Sequence, residues 1–136
     1  MRIVKNEDYL SKGCEIIKDN EWSSIKMRLF LGMKSRNDAV GLACNQIGIK
    51  KRGFVINYNN KLIFFKNPKI ILKGKVINHN ERCLSLPKDY NVPRNSKVII
   101  TDDINGTLYF EDYIACVIQH EYDHINGILI KHKGDQ

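Results

Sequence analysis

The sequence contains no run approaching the roughly 18 consecutive apolar residues that a membrane-spanning helix needs, so no membrane span is expected in its 136 residues. Its opening stretch, MRIVKNEDYL, has no apolar segment behind the first charges. The expectation is therefore a chain without a signal peptide, located in the cytoplasm. The four cysteines, Cys14, Cys44, Cys83 and Cys116, include no pair at C-x-x-C spacing. Without a secretory signal, a disulfide framework is not expected, which leaves each thiol available as a ligand, a nucleophile or a buried apolar group. There is no internal repeat, low-complexity tract or long linker, and the length fits one domain over residues 1–136. The charge balance is +7, but the basic residues are scattered, and the longest cluster is Lys50-Lys51-Arg52. A solvated lysine-rich surface is the plainer reading; weak electrostatic attraction to nucleic acid is the alternative, with no specific nucleic-acid site.

Hydrophobic periodicity divides the chain into helix, hairpins and helix. Trp22, Ile25, Leu29 and Met33 form a helical stripe over 21–35, with Asn20 as its expected N-cap. Residues 53–57 and 61–65 flank Asn59-Asn60 and read as a hairpin. By the same pattern, 69–72 and 75–78 flank Lys73-Gly74, and 97–101 and 107–110 flank a loop ending in Asn105-Gly106. Residues 112–126 return to a helical pattern closed by Gly127, and 128–132 read as a last strand. This order predicts an α+β fold, with antiparallel sheets, an N-terminal helix and a C-terminal helix.

That C-terminal helix carries His120-Glu121-Tyr122-Asp123-His124, an H-E-x-x-H. Histidines four apart lie on one helix face, where two imidazoles can grip one metal ion with the glutamate beside them as general base. Apolar residues on most of its sides (Ile114, Val117, Ile118, Ile125) predict a buried helix, and buried histidines need partners that a metal supplies. A catalytic site of this kind needs a third protein ligand. Twelve residues follow His124 and none is glutamate. His132 is a candidate, but the expected strand leads it away from the helix. The ligand is therefore sought upstream, at Cys83, whose thiolate suits iron or zinc; without the helix motif, Cys83 would read as an inert buried thiol. A third segment, 39–46, holds Gly41, which permits close backbone approach, and Gln46, whose amide could polarise a carbonyl. Alone it reads as a packing turn of small residues.

In this order the three segments resemble the peptide deformylase family. Val40-Gly41-Leu42-Ala43 and Gln46 match its first motif, although Ala39 and Cys44 stand where the family has glycine and alanine. Glu81, Cys83, Leu84 and Ser85 match the second, with Arg82 in place of glycine. Gln119, His120, Glu121, Asp123, His124 and Gly127 match the third in full. The resemblance extends from about residue 3 to 132 and includes Asn67-Pro68 and Val92-Pro93-Arg94 as further landmarks.

The resemblance implies antiparallel sheets packed around a central metal-binding helix. It implies a metal-dependent hydrolase that takes the N-formyl group from the initiator methionine of nascent polypeptides and releases formate. Cys83, His120 and His124 would hold one divalent ion, natively Fe2+, with zinc, nickel or cobalt as substitutes. Glu121 would move the proton, and the Gln46 side chain and Leu84 backbone N–H would stabilise the oxyanion. The peptide would add as a strand along Val40-Gly41. His79, Tyr113, Cys116 and Val117 would line the methionine pocket, and a Glu81–Arg94 ion pair would position the cysteine loop. A monomer is expected, with at most weak electrostatic proximity to the ribosome, because the C-terminal helix that many bacterial relatives use for docking has no counterpart here; short, phage-encoded members share that feature. A general metallopeptidase using the same ligands and a non-enzymatic metal-binding module remain as rivals.

Overall fold

Asn59 (φ 51°) and Asn60 (φ 64°) both adopt the left-handed conformation that a two-residue turn between twisted strands requires. They make the first hairpin as expected. The computed structural model describes residues 3–36, 38–83 and 85–134. Its first sheet is antiparallel, with strand order β1 (Gly41–Ala43), β2 (Gly53–Tyr58), β3 (Lys61–Lys66). The second is also antiparallel, in the order β4 (Lys69–Arg82), β5 (Asp89–Asp102), β6 (Gly106–Glu111). The Asn105-Gly106 turn joins β5 to β6, and the Asp102 carboxylate caps it by accepting from the amides of Ile104 (3.1 Å) and Asn105 (3.1 Å).

The hairpin expected around Lys73-Gly74 does not form. β4 runs through it as one strand, paired with β5 on both sides of a register shift between Lys73 and Val76. Gly74 supplies the positive φ of this bulge (73°), and a β-carbon there would stand 2.2 Å from Ser96 Oγ. Ser96 Oγ in turn accepts the Lys75 amide at 3.1 Å, so a β5 side chain satisfies a backbone group that the bulge displaces. A turn signal in sequence has become a bend in a long strand, and that strand carries Glu81 to the site.

α1 (Glu7–Leu10) and α2 (Asp19–Lys34) precede the sheets. The N-cap of α2 is Lys18, not Asn20: Glu21 accepts the Lys18 amide at 2.9 Å, so the helix starts before the expected cap. Its stripe is as read, with Ile25, Leu29 and Met33 buried against Leu42 and Val55. α3 (Tyr113–Ile125) lies between the two sheets. Ile114, Ala115, Val117, Ile118 and Ile125 pack on Phe54, Ile56 and Phe65 from one sheet and on Val98, Ile100 and Phe110 from the other. Each fully buried Ile or Phe in that layer stabilises by about 1.5–3 kcal/mol, which fixes the helix on which the chemistry depends. α3 ends in a Schellman motif, with Gly127 N–H on the His124 carbonyl (3.0 Å) and Ile128 N–H on that of Asp123 (2.8 Å). The strand expected at 128–132 is instead a helical turn, α4 (Ile130–Lys133), because Leu129 and Ile130 are buried with Leu10 and Val92. Among the described residues, no helix is long and apolar enough to cross a membrane.

Candidate active site

Burial of α3 places His120 and His124 one turn apart with ring centroids at 5.0 Å. Cys83 meets them from the end of β4, its Sγ 3.2 Å from His124 Nε2. The Ser85 amide faces that sulfur at 3.4 Å, and the Leu86 amide closes the turn on the Cys83 carbonyl at 3.0 Å. The three donor atoms lie within 4.8 Å of one another. A thiol and two imidazoles converging in this way, with no fourth protein donor among the described residues, fit a divalent iron or zinc ion with one position left open. His132 lies outside this group; its Nδ1 accepts the Leu129 amide at 3.1 Å within its own turn. Burial disfavours charge on both imidazoles. At His120, hydrogen bonds with Cys83 and Glu81 outweigh burial and push the pKa up to about 10. At His124, burial and the neighbouring His120 hold it well below the usual histidine range.

Behind the donors is a buried ionic chain. Glu81 accepts from Arg94 Nε and Nη2, both at 2.7 Å, and its Oε1 lies 2.8 Å from His120 Nδ1. Glu81 and Arg94, expected as an ion pair, meet as a bidentate, nearly water-free pair rather than as a surface bridge. The chain continues beyond the expected pair: Arg94 Nη1 donates to Asp123 at 2.5 Å, and Lys133 Nζ lies 3.1 Å from the same carboxylate. Burial alone would raise the Glu81 pKa, but the hydrogen bonds from Arg94 and His120 bring it down to about 2.

Glu121 is buried against β1. A β-carbon on Gly41 would stand 2.5 Å from Glu121 Oε2, so only glycine lets the carboxylate lie flat on this strand. Glu121 Oε1 has no hydrogen-bond partner among the described residues. Burial pushes its pKa up to about 7, where a group can both take and return a proton. Gln46 Nε2 points at Cys83 Sγ (3.6 Å) and Ser85 Oγ (3.3 Å), while its Oε1 accepts the Ala43 amide at 3.0 Å. Leu84, expected to offer an oxyanion donor, lies outside the described residues.

A cavity of about 250 Å³ opens onto this group. Val40, Gly41, Gln46, His79, Tyr113, Cys116 and Val117 are among the residues that line it. The His79 and Tyr113 rings meet at a tilt of 56° with centroids 5.6 Å apart, and His79 Nδ1 lies 3.0 Å from Glu81 Oε2. Arg82, the departure at the second motif, stands at the rim and pairs with Asp89 at 2.9 Å. Two residues that touch the site escaped the sequence reading. Asp123 was matched only as a motif letter, and Asn45 donates to the His124 carbonyl at 2.7 Å across 79 residues of chain.

The family model for polypeptide deformylase matches residues 2–136. Peptide deformylase 1 of Clostridium perfringens (strain 13 / Type A) is 35% identical over 132 residues, covering 91% of this chain and 90% of its own length. The peptide deformylase of Clostridium beijerinckii is 35% identical over 132 residues, covering 94% and 97%. The Met-Ala-Ser-bound crystal structure of class I type b peptide deformylase from Acinetobacter baumannii aligns with a TM-score of 0.88 at 26% identity, over 98% of both chains. With the donor set, the buried glutamate and the cavity gathered in one place, this chain belongs to the polypeptide deformylase family and removes the N-formyl group from nascent peptides.

Proposed function

We propose that Cys83, His120 and His124 are the ligands of one divalent ion, Fe2+ in the native enzyme, and that Glu121 is the acid–base residue of formyl hydrolysis. The observation that carries this reading is the convergence of the three donor atoms beside a glutamate whose free oxygen has no partner among the described residues. A divalent ion held by these three residues would supply Lewis acidity, lowering the pKa of a water and polarising a carbonyl oxygen. Glu121 takes a proton from the attacking water as the C–O bond to the formyl carbon forms, then delivers it to the departing amine nitrogen as the C–N bond breaks. The products are formate and a free N-terminus. Gln46 Nε2–H donates to the oxygen that gains charge.

The peptide docks along β1, an edge strand of its sheet. Val40 gives its carbonyl to the Asn57 amide at 2.9 Å, so the strand's alternation turns the Gly41 N–H and C=O toward the free edge. Those two groups pair with the substrate backbone regardless of its sequence, and Val40 contributes its side chain. The methionine side chain enters between His79, Tyr113, Cys116 and Val117. The enzyme works in the cytoplasm as a monomer, and its +7 charge gives only a salt-sensitive attraction to the ribosome.

The experiment is formate release from formyl-Met-Ala-Ser by wild type and by Glu121→Ala, each with its metal content measured. The variant keeps its metal and loses at least about 10²-fold in rate. Near wild-type turnover in metal-loaded Glu121→Ala would assign the proton to another group.

A further inference from the structure

Two of the three donor residues have an evident partner behind them. Glu81 meets His120 Nδ1, while the Ser85 amide and Gln46 Nε2 face Cys83 Sγ. His124 is different: its Nδ1 is buried and has no partner among the described residues. Nε2 faces Cys83 and the donor group; with the ion on Nε2 the proton falls to Nδ1, and metal-binding histidines return that N–H to an acceptor in the surrounding shell.

Two buried acceptors among the described residues also lack partners, Glu121 Oε1 and Asn45 Oδ1. Glu121 lines the substrate cavity, and its oxygen is used there. Asn45 is fully buried in the 3-10 turn Cys44–Ile47 and does not line that cavity. Its Nδ2 already donates to the His124 backbone carbonyl at 2.7 Å, so its amide is anchored to the residue whose ring lacks an acceptor.

We propose that Asn45 is the positioning residue of His124: Nδ2 holds the His124 carbonyl, and Oδ1 receives the His124 Nδ1–H through one buried water. Buried waters occur where polar groups would otherwise go unsatisfied. The pairing fixes the tautomer that leaves Nε2 free for the ion. Adjacent residues of one short turn then serve two ligands, Asn45 acting on His124 and Gln46 on Cys83. The inference rests on the ligand assignment proposed above.

The test uses Asn45→Leu, which removes both ends of the amide at similar volume, and Asn45→Asp, which keeps an acceptor. Each is compared with wild type in the cobalt(II) form, with circular dichroism and cooperative melting to establish folding. Asn45→Leu should bind cobalt about ten- to a hundred-fold more weakly in chelator competition. It should also shift the cobalt absorption bands that report ligand geometry. Asn45→Asp should recover part of the affinity. A folded Asn45→Leu with wild-type affinity and spectrum overturns the proposal. If that variant does not fold, long-range 15N–1H spectra of the wild-type zinc form decide: a protected His124 Nδ1–H supports the proposal, and a solvent-exchanging one overturns it. His124→Ala separates the two levels. Full metal content in that variant overturns the ligand assignment itself, whereas loss of metal there beside an unchanged Asn45→Leu overturns only the role of Asn45.

Discussion

The Glu121 carboxylate rests on Gly41 with no room for a methyl group between them: a β-carbon there would meet Oε2 at 2.5 Å and the Glu121 Cδ at 3.0 Å. Gly41 has no positive φ, so its backbone would accept alanine, and the clash falls on Glu121 alone. Gly41→Ala should therefore fold and hold its metal while kcat drops about tenfold or more, because a displaced acid–base group loses its alignment. Metal analysis and formate release on one preparation check this. Unchanged kcat would show that the contact does not set the Glu121 position.

Glu81 predicts how the fold responds to acid. Its folded pKa is brought down from the usual 4.5 to about 2, so folding favours the charged carboxylate. That contribution is complete above pH 4.5 and is lost as pH falls from 4.5 through 2. Each pKa unit corresponds to about 1.4 kcal/mol, so the loss amounts to a few kcal/mol. Glu81→Gln should be less stable than wild type near neutrality, and the gap should close across that window. Denaturant titrations at several pH values, with chelator present to remove metal effects, measure it. A gap independent of pH would contradict the assignment.

Local signals in the sequence translated directly into structure. Asn59-Asn60 made its hairpin because both positions tolerate positive φ, and the 3.6-residue period of Ile114, Val117, Ile118 and Ile125 placed α3 in the core. Gly74 misled because a glycine at positive φ serves a bulge as readily as a turn, and only Ser96, 22 residues on, distinguishes the two. The 128–132 segment misled because a short apolar run has no period, and packing on Leu10 decided its shape. The histidine pair was legible within one helical turn. Cys83 became a candidate only by elimination and resemblance, since the register of β4 against β5 is what carries it there. Asn45 gave no signal, because its partner lies 79 residues away.

The proposed methionine pocket predicts selectivity. Tyr113 is exposed and its ring meets that of His79 at a tilt, and Glu81 holds His79 in turn, so a pinned imidazole backs the ring at the cavity mouth. A flexible thioether passes such a constriction more readily than a planar ring. Formyl-Met peptides should exceed formyl-Phe peptides in kcat/KM by about tenfold or more, or ~1.4 kcal/mol. Tyr113→Leu should narrow the difference. Equal rates in the wild type, or no change on shortening Tyr113, would remove these side chains from the pocket wall.

The most direct test of the account is the metal content of Cys83→Ala, measured per chain by elemental analysis beside wild type and His132→Ala. Loss of the ion in Cys83→Ala, with one ion per chain retained in wild type and His132→Ala, is the predicted result. Full occupancy in Cys83→Ala would contradict the three-ligand site on which the mechanism depends.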